Sequence, residues 1–173
     1  MIKVISYIYM PLFLLKRFVF GSKIYSAIVI NCYKLLGANI DDKVTFQYGA
    51  LLSGCKNITI KNGTFIGRGV SITAYKEKVI IGSNCLIAAD VKIISRSHNY
   101  MKMYNNVPIL EQGYSHKEVL VGNNVWIGFN SIILSGVTIC NNVVIAAGSV
   151  VTHSIDTPGV YGGIPAKLIK KSS

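Results

Sequence analysis

An aliphatic residue returns every six positions between Val121 and Thr152, at Val121, Ile127, Ile133, Ile139, Ile145 and Val151. A second small or aliphatic residue follows each by four places, among them Val125, Ser131, Val137, Val143 and Ser149. Six matches neither the period of an amphipathic helix nor that of an alternating strand. Such a repeat marks a solenoid, in which each hexad is one short strand plus a turn. Three hexads close a triangular coil whose aliphatic residues point inward and stack on those of the next coil. Gly122, Asn123, Asn124, Gly136, Asn141, Asn142 and Gly148 fall between the strands, where turns need residues that tolerate unusual backbone angles.

The period begins irregularly at Ile40, clears at Ile66 to Ser71, slips between Ile72 and Ile80, and returns up to His98. It then stops from Asn99 to Leu120 and resumes at Val121. A loop that interrupts a repeat without destroying it contributes nothing to the solenoid, so a functional role is expected for it. After Thr152 the sequence predicts one last strand, a turn at Gly162 and Gly163, and a short basic helix opened by Pro165.

Residues 1–39 form a different region, without the period. Val4 to Leu15 is apolar but short, and Pro11 interrupts it, so it falls below the roughly 20 residues of a spanning helix. No small-residue cleavage site follows it, which argues against a signal peptide. Two helices, about 2–19 and 23–36, are predicted, ended by Gly21 and Gly37. Two roles stay open for residues 1–36: peripheral contact with the inner face of a membrane, or a cap on the open end of the solenoid. The division is then 1–39, a β-helix over 40–163 carrying the loop 99–120, and a basic tail over 164–173.

At 173 residues the chain is one domain. Eighteen Lys and Arg against seven Asp and Glu give a net charge of +11, which suits an anionic partner such as a phosphate-rich co-substrate, an acidic sugar or a membrane surface. Nucleic acid is not expected, because no helix-turn-helix pattern, zinc finger or basic run interleaved with aromatics is present. Cys32, Cys55, Cys85 and Cys140 form no C-x-x-C pair, so reduced thiols packed as small buried residues in a cytoplasmic chain are expected.

The stretches V-W-I-G (125–128), G-V-T-I (136–139), V-I-A-A-G-S-V-V-T (144–152) and G-G-I-P-A-K (162–167) resemble the C-terminal signature of the sugar O-acetyltransferases among the hexapeptide-repeat acyltransferases. The resemblance covers about residues 40–171. S-H-N-Y (97–100) with P-I-L-E-Q-G (108–113) is similar to the branch acting on bacterial surface polysaccharides and their precursors. What the family implies is a left-handed parallel β-helix, an exception to the usual right-handed crossover. It also implies a homotrimer with active sites between subunits, acetyl-CoA as donor, a carbohydrate acceptor and no metal requirement.

Acetyl transfer from a thioester to a sugar hydroxyl needs a base, and a histidine titrates in the right range. His98 stands where the repeat breaks into its loop and matches the family's catalytic position, whereas His116 and His153 are assigned no catalysis. Glu111 and Asp90 are the carboxylates that could orient the imidazole, and Glu111 also belongs to the acceptor-binding candidates with Trp126 and Arg68. Gly128, Ala147, Thr152 and Lys167 fall on family positions that line the pantetheine channel and meet the CoA phosphates. Arg68 stands where several sugar acetyltransferases place an asparagine, and Phe129 where relatives have a small residue, which points to a different acceptor. N-acetylation of a nucleotide-linked amino sugar and a non-catalytic trimeric scaffold are the alternative readings.

Overall fold

The computed structural model describes residues 23–171. From Asn39 onward the chain winds into a β-helix with three parallel faces, and successive strands visit them in turn. The first face holds five strands from Asn39–Ile40 to Thr138–Ile139, and the third holds five from Leu51–Ser53 to Val150–Val151. The second holds seven, from Thr45–Phe46 to Ala166–Lys171.

The hexad residues occupy the interior. Ile40, Ile60, Ile81, Val121, Ile139 and Ile155 stack behind the first face; Phe46, Ile66, Ile87, Ile127, Ile145 and Tyr161 behind the second; Leu52, Ile72, Ile93, Ile133 and Val151 behind the third. All are buried. Each fully buried Ile contributes about 1.5–3 kcal/mol relative to an exposed one, so these three columns are the chief source of stability. The residues four places on, such as Val125, Val137 and Val143, fill the corners beside them. Where that place holds serine, the hydroxyl is satisfied: Ser131 and Ser149 both donate to the Ala146 carbonyl.

The slips in the period have one location. From first to second face, and from second to third, the buried residues stay six apart in every coil, as in Ile60, Ile66 and Ile72 or Val121, Ile127 and Ile133. All the variation lies in the corner that leads from the third face back to the first. There the steps run Leu52 to Ile60, Ile72 to Ile81, Ile93 to Val121, Ile133 to Ile139 and, shortened, Val151 to Ile155. The loop 99–120 is thus the largest of three insertions at one edge of the prism.

The helix Lys23–Leu35 lies across the start of the first coil. A first coil has no strand before it, so the outward N–H groups of its strands lack partners. Ser26 and Tyr33 supply them: the Phe46 amide donates to the Ser26 hydroxyl at 2.9 Å and the Leu52 amide to the Tyr33 hydroxyl at 3.3 Å. Both hydroxyls in turn donate to carbonyls of this coil, Ser26 to Val44 and Tyr33 to Ala50. Gly37, at φ +96°, then turns the chain from the helix toward the first strand. Residues 23–35 thus pack on the first coil and satisfy two of its amides, and no helix among the described residues is long and apolar enough to cross a membrane. The first predicted helix lies outside the described residues.

Two expectations need correction. The basic segment after Pro165 is a strand, Ala166–Lys171, antiparallel to Gly159–Gly163. The last coil leaves the edge of the second face open, and after the reversal at Gly163 (φ +99°) backbone pairing on that edge outweighs the helix-start signal of Pro165. Lys167, Lys170 and Lys171 then place charge along an exposed edge strand, where it discourages pairing with another chain. Of the cysteines, only Cys85 is buried, with its thiol 3.1 Å from the Gly122 carbonyl; Cys32 is exposed, and Cys55 and Cys140 are partly so.

Candidate active site

The long insertion leaves the wall as a two-stranded antiparallel ribbon, Arg96–His98 against Tyr114–His116. Directly opposed residues share a side, and successive residues alternate, so His98, Tyr114, Arg96 and His116 project from one side and Ser97 and Ser115 from the other. His98 stands exposed at the ribbon's outer end. Its imidazole centroid is 4.2 Å from that of Tyr114, with the planes tilted by 44°. A cavity of about 300 Å³ opens beside it, lined by Ser97, Asn99, Tyr100, Met101, Lys117 and Ser135 among others.

Beyond His98 the loop is held by amide contacts. The Asn99 backbone N–H donates to the Gly113 carbonyl at 3.1 Å, and its side chain donates to the Gln112 carbonyl at 3.0 Å. The Gln112 side chain donates to the Val107 carbonyl and accepts from the Lys102 N–H. These bonds fold Met101–Asn105 and Ile109–Gln112 into short 3-10 turns that form the outer part of the loop.

The carboxylates expected to orient His98 do not do so within the chain. Asp90 lies 3.9 Å from the Arg68 guanidinium at the corner between the second and third faces, and Glu111 is exposed on the loop. Among the described residues neither forms a hydrogen bond or ion pair with His98. Arg68 is held by Asp90 and by the Tyr48 hydroxyl at 3.2 Å, and those contacts raise its already high pKa, the Tyr48 hydrogen bond most.

Of the residues expected at the CoA side, Gly128, Ala147 and Lys167 lie away from the edge that bears His98, and Thr152 lies farther along that same edge. Gly128 and Ala147 stack at the corner between the second and third faces. A Cβ on Gly128 would fall 2.6 Å from the Ala147 nitrogen and 2.7 Å from the Ile145 carbonyl oxygen, so coil packing alone demands glycine there. Ala147 itself is exposed; the amides on either side of it bond to Tyr161 and Phe129 carbonyls, while its own N–H has no partner among the described residues. Thr152 follows the last strand of the third face, its hydroxyl 2.8 Å from His153 Nδ1. Lys167 is exposed on the terminal strand.

Trp126 is 49% exposed on the outside of the second face, above a depression of about 670 Å³ that also involves Leu86, Val144 and Pro158. The strands place Phe65, Leu86, Trp126, Val144 and Val160 in register along this face, an uninterrupted apolar ladder. The edge that bears His98 joins the first and third faces. A single chain therefore spreads the candidates: His98 with its cavity and, farther along, Thr152 on the edge between the third and first faces, Gly128 with Ala147 and Arg68 on the edge between the second and third, and Trp126 and Lys167 on the second face.

Residues 118–153 match the family model described as bacterial transferase hexapeptide, six repeats. The galactoside O-acetyltransferase of Escherichia coli K12 is 31% identical over 147 residues, 84% of this chain and 67% of that protein. The chain belongs to the hexapeptide-repeat acyltransferases. Within that family, WbbJ of Escherichia coli K12, assigned by name to lipopolysaccharide biosynthesis as an O-acetyl transferase, is 39% identical over 100 residues, 55% of this chain and 51% of WbbJ. The chain thus spans between half and two thirds of these curated relatives. A hexapeptide-repeat acetyltransferase of Vibrio cholerae, solved with acetyl coenzyme A, superposes with a TM-score of 0.74 at 25% identity, covering 92% of this chain and 84% of that one.

Tyr114, Arg96, Lys117 and Ser135 were not among the sequence candidates. The signal for Tyr114 was present in alternation: Arg96 and His98 before the loop, Tyr114 and His116 after it, are the two limbs of a hairpin.

Proposed function

We propose that this chain is an acetyl-CoA-dependent O-acetyltransferase that modifies a sugar hydroxyl of a bacterial surface polysaccharide or its precursor. The observation that carries the reading is His98, exposed at the ribbon's outer end and among the residues that line a polar cavity, on the one edge where the family repeat is interrupted. In this reading the imidazole takes the proton of the acceptor hydroxyl as the oxygen attacks the thioester carbonyl. The C–O bond forms, the tetrahedral intermediate carries its charge on the former carbonyl oxygen, and collapse breaks the C–S bond. The imidazolium then returns its proton to the leaving thiolate. The unpaired Ala147 N–H is the kind of donor such an oxyanion or a pantetheine carbonyl requires. Lys167 and its neighbours on the exposed terminal strand supply charge for phosphates.

The working unit in this proposal is a homotrimer. One chain separates His98 from Ala147 and Trp126, and a cleft between neighbouring copies unites them. The apolar ladder through Trp126 suits contact with such a neighbour, since outward positions of the third face are broken by Lys92. WbbJ's assignment to lipopolysaccharide biosynthesis favours a polysaccharide acceptor.

Thiol release from acetyl-CoA, followed with a panel of oligosaccharides and polysaccharide fragments, tests the proposal. Acceptor-dependent release by the wild-type chain, reduced by at least about 100-fold in His98→Ala, is expected. An intact oligomer that neither binds CoA nor turns over any acceptor would overturn it.

A further inference from the structure

His98 needs a fixed ring to serve as a base, yet among the described residues its imidazole makes no hydrogen bond. What it does contact is the Tyr114 ring, at 4.2 Å. That ring is packed from the side of the wall by Arg96, whose guanidinium carbon lies 4.7 Å from its centroid. Arg96 in turn lies 3.9 Å over the ring of Tyr75. The four side chains form one column, Tyr75, Arg96, Tyr114 and His98, in which a cation sits between two aromatic faces within the distance at which such contacts attract.

The column has a foundation in the coil. Tyr75 belongs to the insertion at the same edge one coil earlier, and its carbonyl accepts from the Asn57 side chain at 2.6 Å. The neighbouring Ala74 carbonyl accepts from the same amide at 3.1 Å. Gly54 makes room for that segment: a Cβ there would lie 2.1 Å from the Ala74 oxygen. The smaller insertions of two earlier coils thus lead, contact by contact, to the histidine of the third.

We propose that Tyr114 is a positioning residue, which fixes the His98 imidazole by ring-to-ring contact and transmits to it the rigidity of the Arg96–Tyr75 base. The proposal rests on His98 as the general base. The Tyr114 hydroxyl takes no part in it; the flat ring does.

The test is made on the full-length chain with Tyr114→Ala, Tyr114→Leu and Tyr114→Phe. With the acceptor that the wild type turns over fastest, kcat falls about tenfold or more in the Ala and Leu variants, because small misplacements of a reacting group are costly, while KM for acetyl-CoA stays within about twofold. The Phe variant keeps wild-type kcat. In parallel, the His98 ring resonances, followed by NMR in protein labelled at histidine, move away from their wild-type positions in the Ala and Leu variants and remain in the Phe variant. Arg96→Gln gives the same changes in smaller measure. Wild-type kcat in both the Ala and Leu variants, or unmoved His98 resonances in variants that still bind CoA, would overturn the proposal. The NMR arm needs no turnover, and His98→Ala keeping full activity would instead strike the general-base reading.

Discussion

Two edges of the same prism behave in opposite ways. The edge between the second and third faces repeats without variation: Ile66 to Ile72, Ile87 to Ile93, Ile127 to Ile133 and Ile145 to Val151 are all six residues apart. The edge between the third and first faces differs in nearly every coil and bears His98 at its largest insertion. Strand pairing fixes the faces, because each strand must meet the one above and below in register, but a turn that bulges outward breaks no ladder bond. The wall can therefore stay constant while one edge is free to acquire chemistry.

The largest loss of stability is expected inside the constant wall. Ile127 is fully buried between Ile87 and Ile145, and Ile127→Ala should cost about 2–5 kcal/mol in denaturant unfolding. A somewhat smaller effect is expected from Gly128→Ala, where the new methyl meets the Ala147 backbone; about 1–3 kcal/mol by the same measurement would place the need for glycine in packing. If Gly128→Ala instead unfolds like wild type and loses only CoA affinity, the wall itself does part of the recognition. Tyr33→Phe, at the capped end, leaves the Leu52 N–H without its acceptor and should cost about 1 kcal/mol. No change there would mean that water satisfies the first coil equally well.

The wall was legible in the sequence because a six-residue period has few structural solutions and the same residues that carry it are buried. His98 was legible for the complementary reason, as the point where the period stops. What surrounds His98 was not. Tyr114 lies across the loop in sequence, and Tyr75 belongs to another coil, so only the ribbon's register and the stacking of edges bring them together. Gly128 had two sufficient reasons, ligand approach and coil contact, and the sequence cannot separate them. The terminal segment misled because Pro165 is a good helix opener in isolation, whereas the unpaired edge of the last coil decided its form.

The separation of edge from wall can be tested by deleting residues 100–112. This joins Asn99 to Gly113, whose backbones already meet at 3.1 Å, and leaves an Asn-Gly pair between the opposed residues His98 and Tyr114. Asn-Gly is the favoured two-residue hairpin turn. Thermal unfolding, measured with CoA binding and acceptor turnover on the same protein, then reads the wall and the site together. The account predicts a melting temperature within about 4 °C of wild type, since shortening a surface loop changes stability by less than about 1 kcal/mol, with CoA still bound and acceptor turnover lost along with the Tyr100 and Met101 side of the cavity. A fall of the melting temperature comparable to that of Ile127→Ala, with loss of CoA binding, would contradict it.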